Sequence, residues 1–191
     1  MNTKTIALII VFAALTVVFT QIKIPAPYFP FLMYQLWEIF IVAAFVLISP
    51  KASVAIAILN AFALLAISPG ALLMGPFYNL FAVLSMLLGV YMAYRIINYM
   101  HAADENKSTT RYKTNLIMAS TSLGIVFRVA VMSVVNYTVL RFPAPIGYSM
   151  PEIAILGSLP VIAFFNFTVA LYTVPIAQVL SIAIKKNLRL N

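Results

Sequence analysis

Six long apolar runs, separated by short polar or proline-rich breaks, dominate the chain: 5–22, 35–48, 52–67, 76–100, 114–139 and 158–184. A perpendicular membrane crossing needs roughly 20 residues. Runs 35–48 and 52–67 are short by that measure, and are expected to borrow flanking residues or to sit in a sheltered place. The breaks are punctuated by proline. Pro25, Pro27 and Pro30 exclude a continuous helix over 23–34. Tyr28, Phe29, Phe31 and Tyr34 make that stretch an interfacial loop or a lid over a binding site. Ser49-Pro50-Lys51 and Ser68-Pro69-Gly70 close the second and third runs, and Pro76 is well placed at a helix start. Segment 101–113, with Asp104, Glu105, Lys107, Arg111 and Lys113, reads as a solvent loop; 141–157 is a second loop rich in Pro and Gly. The first run has the position of a signal peptide but no small-residue cleavage site, so it is read as a retained helix. The pattern predicts one domain over 1–191, an all-α membrane protein built as a bundle of six transmembrane helices, with no internal repeat.

Composition strengthens that reading. The chain is 64% hydrophobic and 8% charged, against about 25% charged in a soluble domain. Without cysteine, no disulfide or Cys-ligated metal or haem is available. One histidine and four carboxylates are too few for a buried metal site, so neither metal nor cofactor is expected. A net charge of +8 raises the question of nucleic acid, but the cations are scattered at helix ends, as membrane-flanking residues are. With the N-terminus inside, Lys4, Lys51, Arg95, Lys107, Arg111, Lys113, Lys185, Lys186 and Arg189 face the cytoplasm, and Lys23 and Arg141 face out. This asymmetry predicts a multi-pass cell-membrane protein with both termini cytoplasmic.

Polar residues inside the runs then acquire depths. Arg128 lies half-way along 114–139, where a charge costs on the order of 3 kcal/mol or more unless protein or water receives it. Either it pairs with Glu38 or with helix-end carbonyls, or it contacts a polar tail of a ligand. Glu38, Asn79, Asn136 and Asn166 lie on four different helices, each within about two turns of the outer side. Each amide taken singly suits a helix cap or an interhelical bond. Together, beneath two aromatic loops and beside Tyr34, Trp37, Phe77, Tyr78, Tyr137, Phe164 and Phe165, they predict a shared cavity. Apolar walls with few convergent polar groups suit a flat, neutral, heteroaromatic ligand. No phosphate-binding Gly-rich loop, no Ser/His/Asp set and no row of intramembrane acids occurs, so the chain carries no visible engine. Ser53, Ala57 and Ala61 recur every fourth residue in the third run, and Ala7 and Ala14 share a face of the first. Such faces allow close helix approach, either within the bundle or to a docked partner.

Three stretches resemble the substrate-binding S components of energy-coupling-factor (ECF) vitamin transporters, most of all the riboflavin-specific branch. Pro30-Phe-Leu-Met-Tyr34 with Glu38 is similar to the family's first outer loop running into its second helix. Gly75-Pro-Phe-Tyr-Asn79 resembles the opening of helix four, and Val131-Met-Ser-Val-Val-Asn136-Tyr137 followed by Pro143 the end of helix five. The resemblance implies a vitamin-binding subunit, riboflavin or a related flavin favoured, that is not itself an enzyme. It implies substrate contacts at Tyr34, Glu38, Asn79, Asn136 and Asn166, and the depth of Arg128 adds that residue to the candidate site. It also implies an ECF module as partner, a transmembrane T subunit plus two ATPases, docked on a small-residue face expected to include Ala7, Ala14 and Ala57. The riboflavin branch usually has Lys three residues after the helix-six Asn; here that position is Val169. A structural or assembly subunit without ligand, and a membrane enzyme acting on lipid, remain alternatives.

Overall fold

The computed structural model describes residues 3–67, 73–102 and 109–188. The elements are α1 (Thr3–Phe19), β1 (Lys23–Ala26), β2 (Phe29–Gln35), α2 (Glu38–Leu47), α3 (Pro50–Ile67), α4 (Gly75–Ala102), α5 (Thr109–Val139) and α6 (Glu152–Leu188). Ser68-Pro69-Gly70, Asp104, Glu105, Lys107 and Arg189 lie outside the described residues.

The six helices follow the six apolar runs, and α3, α4, α5 and α6 are long and apolar enough to cross a membrane. The protein is a membrane-embedded helical bundle. Its outward faces carry Ile10, Val18, Phe62, Phe81, Val134 and Val179, as a surface solvated by lipid requires. The second run, expected to be short for a perpendicular crossing, forms the ten-residue α2. Ten residues rise about 15 Å, half the hydrocarbon thickness. Ile41, Val42, Ala43 and Ala44 of α2 are fully buried, because α1, α3 and α6 pack around it. The short second helix is therefore a core element, sheltered by protein on all sides.

The stretch 23–34, expected as a loop, is an antiparallel hairpin pairing Lys23 with Gln35, Ile24 with Tyr34 and Pro25 with Met33. Proline excludes helix here but not this sheet. Each strand of a two-stranded ribbon is an edge, so an imide nitrogen can face away from the partner. The irregularity between Pro25 and Ala26 falls where the register shifts.

At the α2–α3 corner, Ser49 Oγ accepts the Ala52 N–H at 3.1 Å while Pro50 opens α3, a capped start with proline in the first turn. Ser53 Oγ donates to the Ile41 carbonyl at 2.7 Å, stitching α3 to α2. The tightest crossing joins α4 and α5: a Cβ on Gly89 would sit 2.6 Å from the Leu123 carbonyl carbon. Lower in the bundle, Gln178 of α6 donates to Ser120 Oγ of α5. Alternation of the helices puts the start of α1 and the end of α6 at one end of the bundle and the hairpin, with the 140–151 connection, at the other.

Candidate functional site

Arg128 is delivered by the middle of α5 into the bundle interior, where it is 3% exposed. Its guanidinium faces the Glu38 carboxylate as a fork. Nη2 donates to Oε1 at 3.0 Å and Nη1 to Oε2. Nε donates to Asn166 Oδ1 at 3.0 Å, and Asn166 Nδ2 is tied in turn to its own helix, donating to the Ile162 carbonyl at 2.9 Å. Three helices thus meet at one charge-neutral knot. Of the two roles open to Arg128, pairing with Glu38 is realised. A planar donor against a planar carboxylate is the geometry that best offsets the desolvation of both charges.

Above the knot, toward the hairpin, lies a cavity of about 410 Å³. Asn79 of α4, Arg128 and Asn136 of α5 and Asn166 of α6 all line it, with Lys23 and Gln35 from the hairpin and Met132 and Phe165 as apolar wall. Four of the six residues expected at a shared site are therefore brought together. Asn136 Nδ2 donates to the Met132 carbonyl at 2.7 Å, and no protein bond occupies its Oδ1 among the described residues. Asn79 meets no hydrogen-bonding partner among them. These two amides bring uncommitted donors and acceptors to the chamber. Asn166 contributes less, since Arg128 and Ile162 already engage it.

The other two expected residues stand behind the wall. Glu38 is 4% exposed and spends both oxygens on Arg128. Tyr34 bonds Thr168 Oγ1 at 2.8 Å and Tyr28 at 2.6 Å, and its ring packs on Phe165 at 5.0 Å. It fastens the hairpin to α6. Burial first, and the Tyr34 bond second, push the Tyr28 phenol above its ordinary value of 10.0.

A second chamber of about 340 Å³ adjoins the first beneath the 140–151 connection. The two share Leu32, Asn136, Tyr148 and Ile162 as lining, and Phe29, Leu140 and Met150 make the second more apolar. Both fall in the range of small-molecule sites, about 300–1,000 Å³. Tyr78 donates to the Ile146 carbonyl at 2.7 Å and Tyr137 to Glu152 at 3.0 Å, holding the connection over the chambers. The cavity is therefore asymmetric: amides and a guanidinium at one end, aromatic and aliphatic groups at the other. No group of three or more His, Cys, Asp or Glu residues fit to hold a metal occurs among the described residues.

Of the small-residue positions, Ala7 and Ala14 lie on the exposed face of α1. Ala57 is a correction. It is 3% exposed and belongs to the core cluster that includes Phe12, Trp37 and Ile56, so its small size serves packing inside the bundle. Sequence reasoning missed Gln35, taken as a helix residue; its place on the wall follows from the strand. It also missed Asn60, in the middle of α3, whose burial depends on how α3 turns against α2 and α4.

No family model matches the chain, and no curated protein matches it. Among solved structures it is similar to one described as the S component of a bacterial ECF transporter. The TM-score is 0.66 over 99% of this chain and 97% of that one, with 20% of residues identical. The chain thus has the fold of that S component from end to end.

Proposed function

We propose that the chain is the membrane-embedded substrate-binding subunit of an ECF-type uptake transporter, taking up a vitamin, with riboflavin or a related flavin favoured. The observation that carries the reading is the asymmetric cavity. Asn79, Asn136, Asn166 and Arg128 converge from three helices at one end, aromatic and aliphatic walls close the other, and the whole sits in an S-component fold. A flat heteroaromatic ring with a polar edge matches both ends. Tyr34 and Glu38 act here as positioning residues, the first on the hairpin and the second on Arg128. The resemblance to the riboflavin branch places a lysine three residues after Asn166, where this chain has buried Val169. Arg128 supplies a cation to the same asparagine from α5 instead.

Binding is proposed to occur from the outer face, with both termini cytoplasmic, and to involve no chemistry on the ligand. Energy would come from a T subunit and two ATPases, the T subunit meeting α1 at Ala7 and Ala14. Equilibrium binding of a vitamin panel to purified, detergent-solubilised protein tests the reading. Riboflavin or a flavin analogue is expected to bind with the highest affinity, and failure of every panel member overturns it. Orientation is tested separately. A cysteine at exposed Ala144 should react with an impermeant thiol reagent on intact cells and one at exposed Lys186 should not; the reverse pattern inverts the topology.

A further inference from the structure

Asn60 is 1% exposed, and neither its Nδ2 nor its Oδ1 has a hydrogen-bonding partner among the described residues. A carboxamide left so in a membrane bundle forfeits the bonds it would make to water, at a cost that native structures rarely tolerate. A trapped water does not relieve it, because the gap it borders leaves no room for a water molecule. Trp37, Leu80 and Val83 close that gap on the protein side with apolar atoms. Its remaining walls include Leu64 and Pro76, and both also line the 410 Å³ cavity. Leu64 stands one turn after Asn60 on the same face of α3. Leu64 and Pro76 are thus the residues that border both spaces.

We propose that Asn60 is the deep end of the binding cavity: a polar subsite closed by Leu64 in the empty protein and opened when a ligand displaces that side chain. The inference rests on the binding-subunit reading above and adds the part of the ligand that is recognised. A carboxamide presents one acceptor and two donors side by side. Its complement is an adjacent C=O and N–H, the edge of a cyclic amide or imide, on a ring thin enough to pass between Leu64 and Pro76. An aliphatic hydroxyl chain is better matched to Asn79 and Asn136 in the wider chamber. In the empty state the unpaired amide destabilises the fold. In the bound state the same amide discriminates, because a ring lacking that edge leaves it unpaired.

The experiment is a double-mutant cycle on riboflavin binding by the full chain in detergent, with thermal unfolding of each ligand-free variant. Asn60→Leu should raise the ligand-free unfolding temperature and weaken riboflavin roughly tenfold, the loss of a hydrogen bond to a buried group. Leu64→Ala removes the partition and should tighten binding severalfold, and that gain should vanish when Asn60→Leu is present as well. A flavin methylated at its ring imide nitrogen should bind wild type as weakly as riboflavin binds Asn60→Leu, with no further loss in that variant. If Asn60→Leu binds riboflavin like wild type, or Leu64→Ala gains equally with and without Asn60, the subsite is overturned while the binding-subunit reading stands. Should Asn60→Leu fold poorly, wild type decides alone: the methylated flavin should bind it roughly tenfold more weakly than riboflavin, and equal binding of the two overturns the subsite. If wild type binds no member of the vitamin panel, the functional reading falls and takes the subsite with it.

Discussion

At the end that carries the hairpin, α4, α5 and α6 stand apart around a cavity of about 410 Å³; near mid-helix, α4 and α5 close to backbone contact at Gly89 and Leu123. The same helices make both arrangements, and side-chain size at the facing positions decides between them. Gly89 and Gly124 present no side chain, so α4 and α5 meet, and Val174 of α6 would lie 3.3 Å from a Cβ on Gly124. One to four turns away, Asn79, Arg128, Met132 and Asn136 line the space between the helices, and several of their polar atoms have no bond to protein among the described residues. In lipid, where apolar surface gains nothing by leaving the solvent, close backbone approach is what holds helices together. One region therefore spends its residues on cohesion, and the other is the one proposed to recognise a ligand. The Arg128–Glu38–Asn166 knot lies at the boundary and serves both.

The sharpest way to break this division is at the knot. Glu38→Leu leaves a buried guanidinium without its carboxylate and should destabilise the protein by about 3–5 kcal/mol. Arg128→Met in the same chain should restore most of that loss. Thermal or denaturant unfolding in detergent reads it, and a cost for Glu38→Leu below about 1 kcal/mol would remove the knot from the cohesive region.

Glycine offers the next contrast. Gly89→Ala drives a methyl into the Leu123 carbonyl and should cost about 1–3 kcal/mol. At Gly75, beside the cavity, an added Cβ meets nothing within 4 Å, and Gly75→Ala should leave unfolding nearly unchanged. Equal costs at the two sites would show that the ends of the bundle are packed alike.

Recognition should be separable from cohesion at Asn136. Asn136→Leu should weaken ligand by roughly tenfold, about 1.4 kcal/mol, with little change in unfolding. A variant that unfolds early while binding normally would move Asn136 to the structural side.

The smallest effect on the isolated protein is expected on α1. Ala14→Trp projects from an exposed face and should leave stability and binding intact, yet abolish ATP-dependent uptake when reconstituted with an ECF module. Ala57→Trp, equally conservative on paper, should prevent folding, because Ala57 is buried. Normal uptake by Ala14→Trp would remove α1 from the docking surface.

Much of this architecture was legible from residue pattern alone. Apolar runs bounded by proline and charge located all six helices, because hydrocarbon leaves a backbone no inexpensive alternative to helix. A charge at mid-span had to find a partner, and Glu38 was among the few groups able to receive Arg128. The levels of Asn79, Asn136 and Asn166 followed from helix rise, which is constant. Rotation of each helix about its axis was not legible, since the hydrophobic pattern is nearly uniform around a helix that meets lipid on one side and apolar protein on the other. Only packing decided that Ala57 and Asn60 turn inward, that Glu38 faces Arg128 rather than a ligand, and that Asn166 is largely spent on the same pair. The hairpin also waited on the tertiary structure. Its prolines forbade helix, but the pairing of Lys23 with Gln35 and the clasp of Tyr34 on Thr168 join residues whose contact no local rule specifies. Spacing along one chain sets depth in the membrane, whereas facing across chains of contact is a property of the assembled bundle, and the cavity is built from facing.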